Sequence, residues 1–363
     1  MAPSATDPTE ALPPGRTVPH DPSYPLDPIP ISIPPANRAT RAAMPVLGGA
    51  PVQTVLDFWI TPSSPVPLSP HFSPGDTAAP PPASAPDALW MPAEGGLRAG
   101  ARPPMRISVL GSGSGGNAFV VESGGSRLLV DAGFSSREIG RRLARIDVEP
   151  ASLAALVLTH EHADHCRGAA RFTRRNPLLP VLATAGTLAG ARLGEEAARR
   201  ATVLRSGEPC EVAGFRIEPF LLPHDAREPI GAVIETAGGC RLGLIADCGT
   251  YSHLAWARLH DVDILVLETN HDLDMLRNGP YPWPLKQRIA SRHGHLSNRE
   301  AADRLPELAG GRLRWVVLYH LSRTNNLPAL AAAAIGESLA RAGCPAAVAL
   351  TDQDHPTPWL EVT

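Results

Sequence analysis

A short run of potential metal ligands, placed directly after an apolar segment, constrains the fold of this chain more than any other feature. Segment 153–158 is continuously apolar, which predicts a buried strand, and it is followed at once by Thr159-His160-Glu161-His162-Ala163-Asp164-His165. Because an extended backbone points alternate side chains to one face, His160 and His162 are expected on the same side. Asp164 and His165 come next, where the chain turns into a helix. Four potential ligands at the end of one strand predict a metal site rather than a core.

From Met105 to the C-terminus, strand-like and helix-like segments alternate in two halves. Strands are predicted near Val181 and over 105–110, 118–122, 127–130, 153–158, 202–204, 215–222, 231–236, 241–246, 264–268 and 315–319. Helices are predicted over 164–175, 297–308, 327–342 and 135–145, the last with Ser135 as its N-cap. Two strand-rich halves, each followed by helices, predict two sheets that pack face to face with helices outside.

Gly168 completes the spacing H-x-H-x-D-H-x-x-G, and in this spacing the run resembles the signature of the metallo-β-lactamase superfamily. The resemblance covers residues 105–363. It implies an α/β fold of the αββα sandwich type, in which two mixed sheets pack together with helices outside, and a binuclear metal-dependent hydrolase. A polar loop that is rich in histidine by chance is the alternative, and the complete spacing disfavours it.

The resemblance also implies three ligands in the second half of the chain. The superfamily needs a later histidine for the first metal, an aspartate that bridges both metals, and a final histidine for the second metal. His224, Asp247 and His320 each follow an apolar strand and match these roles in order. Each by itself is compatible with a capping or core residue, whereas three in order at strand ends indicate a site. The predicted ligand set is His160, His162, Asp164, His165, His224, Asp247 and His320.

These residue types also suggest the chemistry. Imidazole and carboxylate groups suit Zn²⁺ or Mn²⁺, and a carboxylate can bridge two cations. Two divalent ions held roughly 3.5–4 Å apart share a water, lower its pKa towards neutrality, and stabilise the attacking and leaving oxygens. The predicted cofactors are therefore two divalent metal ions, with the bridging hydroxide as nucleophile and Asp164 as a catalytic ligand.

Finer motifs resemble the WalJ (YycJ) group of bacterial metallo-hydrolases, which are regarded as DNA exonucleases. The motifs are Leu110-Gly111-Ser112-Gly113-Ser114-Gly115-Gly116-Asn117, Glu268-Thr269-Asn270-His271-Asp272, Gly294-His295-Leu296-Ser297-Asn298, and His320-Leu321-Ser322 with Asn325-Asn326. Asp131 matches a family aspartate that orients the metal ligands through hydrogen bonds. The resemblance implies that Asn117, His271 and His295 contact the substrate, His295 by meeting a phosphate or protonating the leaving oxygen. Alternatively, Asn117 closes a turn and His295 begins the helix capped by Ser297.

The first 104 residues differ from the rest because they hold 25 of the 40 prolines. Such a segment buries too little apolar surface to offset its ordering entropy, so we predict that it is disordered. It has no counterpart in the WalJ group, whose members start where Met105 lies. We favour a start codon assigned too far upstream over a native tether.

Charge and cysteine content limit how the protein can hold a substrate and in which compartment it is expected. The formal net charge is −3, so a nucleic-acid substrate must be held locally rather than by overall positive charge. Arginines on predicted helices are candidate phosphate contacts, although solvated helix faces are the commoner explanation for such residues: Arg141, Arg142, Arg145, Arg171, Arg174 and Arg175. The five cysteines lack CxxC spacing and indicate a reducing compartment. With no apolar run long enough to span a membrane, a soluble cytoplasmic protein is expected.

The sequence thus predicts a metal-dependent phosphodiesterase, specifically a DNA exonuclease. A small-molecule hydrolase that acts on a cyclic phosphodiester or a thioester is the alternative, since fold alone does not determine the substrate. A non-catalytic metal-binding scaffold is an alternative of another class, which the complete ligand set disfavours. DNA, RNA and small phosphodiesters stay open as substrates, as does the oligomeric state.

Overall fold

The computed structural model describes residues 103–362, all of which belong to one compact unit. The prediction that residues 1–104 are disordered falls, apart from Pro103 and Pro104, outside the described residues. Within them, no helix is long and apolar enough to cross a membrane.

The described residues form two seven-stranded sheets. The first contains β1 (Met105–Gly111), β2 (Ala118–Ser123), β3 (Ser126–Val130), β4 (Ala155–Val157), β5 (Val181–Thr184), β6 (Thr202–Leu204) and β14 (Leu360–Val362). The second contains β7 (Cys210–Val212), β8 (Phe215–Leu221), β9 (Ile230–Thr236), β10 (Arg241–Ile245), β11 (Ile264–Glu268), β12 (Trp315–Tyr319) and β13 (Ala347–Leu350). Their strand orders are β14-β1-β2-β3-β4-β5-β6 and β13-β12-β11-β10-β9-β8-β7.

Each sheet has an antiparallel part and a parallel part. Strands β14, β1, β2 and β3 pair antiparallel, and β3 to β6 pair parallel. In the second sheet β7 to β10 pair antiparallel, and β10 to β13 pair parallel. The carboxyl ends of parallel neighbours lie at the same edge of a sheet. Residues far apart in the chain are thereby brought together at that edge, where open α/β sheets bind ligands.

Helices cover the outer face of each sheet. The first half contributes α1 (Ser136–Ala144), α2 (Ala163–Cys166), α3 (Ala169–Arg175), α4 (Ala185–Gly190) and α5 (Glu195–Arg199). The second half contributes α6 (His253–Arg258), α7 (Leu273–Asn278), α8 (Trp283–Ile289), α9 (Asn298–Arg304) and α10 (Pro328–Arg341).

Three buried apolar clusters show the layering. One joins the inner faces of both sheets, where the rings of Phe119 and Tyr319 pack edge to face with centroids 5.9 Å apart. A second lies between the second sheet and its helices, and a third between the first sheet and its helices. The predicted αββα sandwich is confirmed.

Local differences from the predicted elements have physical causes. Ser135 is the N-cap of α1 as predicted, and its hydroxyl accepts from the backbone N–H of Glu138. The helix predicted over 164–175 is instead two helices with Gly168 between them. A Cβ at Gly168 would lie 2.0 Å from the carbonyl oxygen of Phe134, so only glycine permits this close backbone approach. Strands β7, β13 and β14, each of three or four residues, were not predicted.

Candidate metal centre

The candidate site lies where strands of both sheets end, and three of its residues have left-handed backbone conformations. The angle φ is 60° at Asp131, 54° at Asp247 and 59° at His320. Each residue lies one or two positions beyond the end of a strand. Because this conformation costs a non-glycine residue about 1–3 kcal/mol, the surrounding structure must impose it. The result is that all three side chains leave the sheets toward the site.

The first group of candidate ligands is His160, His162 and His224, whose ligand atoms lie within 4.8 Å of one another. His224 Nδ1 lies 3.0 Å from the carbonyl oxygen of Gly294, which can only accept, so His224 Nε2 keeps its lone pair. That nitrogen lies 3.2 Å from His162 Nδ1. His160 Nε2 is buried and has no hydrogen-bond partner among residues 103–362. Three imidazoles thus converge on one point.

The second group is Asp164, His165 and His320, also within 4.8 Å of one another. Asp164 Oδ2 lies 3.2 Å from His320 Nε2 and 3.7 Å from His165 Nε2. The carboxylate of Asp247 lies 2.9 Å from His165 Nε2 and 3.4 Å from His320 Nε2, and it also groups with His160 of the first set. The structure therefore brings all seven predicted ligands together and places Asp247 between the two groups.

Two buried carboxylates orient the histidines. Asp131 Oδ2 accepts from His165 Nδ1 at 2.7 Å, which is the kind of hydrogen bond that the sequence motif implied. Glu268 Oε1 accepts from His295 Nδ1 at 2.7 Å and lies 3.3 Å from His320 Nδ1. A carboxylate at Nδ1 holds the orientation of the ring and leaves Nε2 available to a metal or a substrate.

Glu268 is a site residue to which the sequence motifs gave no role. It is fully buried, and its second oxygen accepts from the backbone N–H of Cys248 at 2.7 Å. A signal was present, since Glu268 ends the apolar strand Ile264–Glu268. A carboxylate is too costly to bury at such a position unless charged or hydrogen-bonding groups face it.

Electrostatics within the site favour bound cations. Burial lowers the pKa of His320, but Asp247 and Asp164, with Glu268 behind them, outweigh burial and raise the pKa to about 10. Burial would raise the pKa of the Asp247 carboxyl, yet the neighbouring histidines hold it well below its usual value. Burial keeps the pKa of His160 low and its imidazole neutral. Because metal ligands are neutral imidazoles and ionised carboxylates, a divalent cation competes with the proton on His320.

The donor set fits divalent metal ions. His160 Nε2 would cost about 1–3 kcal/mol as a buried atom without a partner, and a metal ion would remove that cost. Two imidazole nitrogens that face each other at 3.2 Å, those of His162 and His224, need a proton or a cation between them. Nitrogen and carboxylate oxygen donors in both groups match the preferences of Zn²⁺ and Mn²⁺.

A pocket of about 360 Å³ lies over the candidate ligands. Site residues on its surface are His162, Asp164, His224, Asp247, His295 and His320. One side of the pocket, which the sequence did not predict, is lined by Tyr281 and by three residues of α8: Leu285, Arg288 and Ile289. Arg288 is held there by Asp225, with nitrogen and oxygen 2.6 Å apart.

The three predicted substrate residues occupy different positions. His295 lines the pocket. Asn117 is fully buried, and its amide donates to the carbonyl oxygen of Gly113 at 3.1 Å and lies 3.0 Å from His165 Nε2. His271 is also buried, and burial lowers its pKa to about 4. Both residues are enclosed by protein in the described part of the chain, so their contact with substrate stays a prediction.

One of the six candidate phosphate contacts is wrong. Arg142 is buried, and its guanidinium donates to the carbonyl oxygens of Leu110 at 2.7 Å and Gln353 at 2.8 Å. Its charge therefore stabilises the domain and cannot meet a phosphate. The other five arginines are exposed.

The αββα layers and the two adjoining donor groups define a metallo-hydrolase. The family model described as a beta-lactamase superfamily domain matches residues 126–321. Two solved structures have the same fold. The metallo-β-lactamase fold protein YhfI from Bacillus subtilis is 19% identical, with 72% of this chain and 100% of that chain covered and a TM-score of 0.57. Zn²⁺-bound PqqB from Methylobacterium extorquens is 20% identical, with 71% and 99% covered and a TM-score of 0.53.

Two relatives found by sequence similarity identify the family within this superfamily. Exodeoxyribonuclease WalJ of Streptococcus pneumoniae is 34% identical over 265 residues, which cover 71% of this chain and 98% of the relative. Exodeoxyribonuclease YycJ of Bacillus anthracis is 31% identical over 241 residues, which cover 66% and 90%. The chain belongs to the metallo-β-lactamase superfamily, in the same family as WalJ and YycJ. Its fold family implies that it binds divalent metal.

Proposed function

We propose that this protein is a metal-dependent exodeoxyribonuclease that hydrolyses phosphodiester bonds in DNA. The observation that carries the proposal is the match to exodeoxyribonuclease WalJ, which extends over 98% of that relative. The seven converging candidate ligands support the same chemistry.

Two divalent ions, zinc or manganese, would be held by this site. His160, His162 and His224 would bind the first ion, and Asp164, His165 and His320 the second, with Asp247 shared between them. When bound, the pair supplies Lewis acidity that activates water and stabilises developing charge on the phosphodiester oxygens. Asp131 and Glu268 hold the rings of His165 and His320 in position for this task.

His295 is the candidate general acid. It lines the pocket, and Glu268 accepts its Nδ1 proton, so Nε2 is the nitrogen that can serve the substrate. With Nδ1 engaged by the carboxylate, a proton on Nε2 would be the one passed to the leaving oxygen. A deoxyribose oxygen is a poor leaving group and needs that proton, whereas a nitrophenolate does not.

The test is a side-by-side assay of metal-loaded protein. End-labelled DNA, end-labelled RNA of the same sequence, and bis-p-nitrophenyl phosphate are incubated with zinc-loaded or manganese-loaded enzyme. We expect stepwise shortening of DNA from one end and a slower reaction with RNA. Hydrolysis of the chromogenic diester without any cleavage of DNA would contradict the proposal and favour a small-molecule hydrolase.

A further inference from the structure

A second cleft, outside the catalytic pocket, is lined by five arginines. It has a volume of about 410 Å³ and lies between α3 and α5. The arginines are Arg167, Arg171, Arg174, Arg192 and Arg200, all exposed. Since the formal charge of the whole chain is slightly negative, this concentration of positive charge is a local feature.

Most of this positive charge is not neutralised. The two acidic residues of the cleft, Glu195 and Glu196, pair with Arg199 at 2.7 Å and with Arg200 at 3.7 Å. The guanidinium groups of three cleft residues have no hydrogen bond or ion pair with any residue in 103–362: Arg171, Arg174 and Arg192. Like charges around one cleft repel each other, and an anion that binds between them relieves this repulsion.

The cleft is adjacent to the catalytic pocket through Arg167. This residue lines the cleft and follows the ligand His165 by two positions. Its guanidinium donates to the carbonyl oxygen of Gly115 at 3.2 Å. Ser114, the neighbour of Gly115, lies on the surface of the catalytic pocket. Arg167 therefore links the cleft to the loop whose Ser114 lines the catalytic pocket, and this contact joins the two surfaces.

We infer that the cleft binds the sugar-phosphate backbone of a single DNA strand whose end lies in the catalytic pocket. This inference rests on the proposed function and adds to it the route of the strand. A volume of about 410 Å³ is that of a site for one drug-sized molecule, which is enough for part of one strand. No aromatic ring is present among the cleft residues in the described part of the chain, so contact is with phosphates rather than stacked bases, without sequence preference.

The test compares a triple variant, Arg171→Gln with Arg174→Gln and Arg192→Gln, with the wild type. The matched control carries the same change at three exposed arginines of the second half that line neither the cleft nor the catalytic pocket: Arg299, Arg314 and Arg341. Fluorescence anisotropy of the metal-loaded full chain measures Kd for a labelled single strand of about 16 nucleotides, a length within the range of single-strand sites. Phosphorothioate linkages slow cleavage of the strand. Kd is measured over a series of salt concentrations, and melting curves verify the fold.

We expect the triple variant to raise Kd on the order of 10- to 100-fold and to reduce the slope of log Kd against log salt by about 2, because each lost phosphate contact lowers it by about 0.7. The control keeps the wild-type Kd and slope. In the triple variant, kcat/KM should fall for an unmodified strand of the same length and stay unchanged for bis-p-nitrophenyl phosphate, which is too small to reach the cleft.

Three results would overturn the inference. They are a wild-type Kd in the triple variant, an equal loss in the control, and an equal loss of affinity for a blunt duplex. Failure of the proposed function gives a different result. In that case the wild-type protein binds the strand through these arginines but does not cleave it. This result would support the cleft as a DNA-binding site and contradict the proposed nuclease activity.

Discussion

The two halves of the molecule contribute to one site in different ways. The first half supplies His160, His162, Asp164 and His165 from one segment, the loop after β4 and the helix α2 that follows it. The second half supplies His224, Asp247 and His320 from three separate strand ends. One part of the site is therefore encoded in adjacent residues, and the other exists only once β8, β10 and β12 are assembled in one sheet, with β9 and β11 between them.

The halves also differ in how they hold their histidines. Asp131, at the end of β3, accepts from one histidine, His165. Glu268, at the end of β11, lies behind two, His295 and His320. Glu268 thus contacts both a candidate metal ligand, His320, and the candidate general acid, His295. Asp131 contacts only a candidate ligand among these histidines.

Removal of a candidate ligand should have the largest effect on hydrolysis. The number of metal ions lost should differ between a ligand from the first half and one from the second. Asp164→Ala should lose one cation and Asp247→Ala both, because Asp247 contacts both groups. Each should slow hydrolysis at least about 10³-fold, since paired cations contribute several kcal/mol to transition-state stabilisation. Elemental analysis and melting curves are the measurements, with exposed Asp303→Ala as control. If Asp164→Ala kept more than about a tenth of the wild-type rate in excess metal, the two-metal scheme would be wrong.

His295→Ala should separate proton transfer from metal binding. We expect DNA cleavage to fall about 10²–10⁴-fold, the usual contribution of a general acid, and hydrolysis of bis-p-nitrophenyl phosphate to change little. Bound metal should be unchanged. His293→Ala, an exposed histidine two positions away, is the control. Equal losses on both substrates would indicate a positioning role, and loss of a metal ion would make His295 a ligand.

The two orienting carboxylates should differ in what they disturb. Removal of such a partner typically weakens metal binding about 10- to 100-fold, so Asp131→Ala and Glu268→Ala should both do so. Only Glu268→Ala should also reduce DNA cleavage beyond the metal effect when metal is saturating, because it also releases His295. Metal titrations at fixed DNA give both quantities. Glu122→Ala, a strand glutamate paired with Arg106 and Arg127, is the control. Identical behaviour of the two variants would remove the distinction between the halves.

Substitution of two glycines, one in each half, should give the smallest effects. The backbone of each passes close to another backbone segment. A Cβ would lie 2.0 Å from a carbonyl oxygen at Gly168 and 2.1 Å from one at Gly294. Gly168→Ala and Gly294→Ala should therefore lower the free energy of unfolding by about 1–3 kcal/mol. Gly140→Ala, in α1 with nothing within 4 Å of the added carbon, should instead raise it by about 0.5–1 kcal/mol. Denaturant melts measure all three, and a stabilised Gly168→Ala variant would contradict the close approach of Gly168 to the Phe134 carbonyl.

Much of the fold was predictable from local patterns. Strands β6, β11 and β12 have the predicted bounds, and the N-cap of α1 is the predicted residue. Long apolar runs and capping residues act within a few positions of each other, so they are visible in sequence. Strand β14 was not predictable, because only Leu360 and Val362 alternate inward and their partner is the distant β1.

The sequence by itself determined the ligand run after β4, since residues two positions apart on an extended chain must share a side. Resemblance to the superfamily also indicated the three dispersed candidate ligands and Asp131, each of which follows an apolar strand. Only the tertiary structure decided the role of Glu268, the burial of Arg142 and the cleft of arginines beside α3. Each depends on contact between segments distant in sequence, and strand order and helix packing set those contacts, which no local pattern encodes.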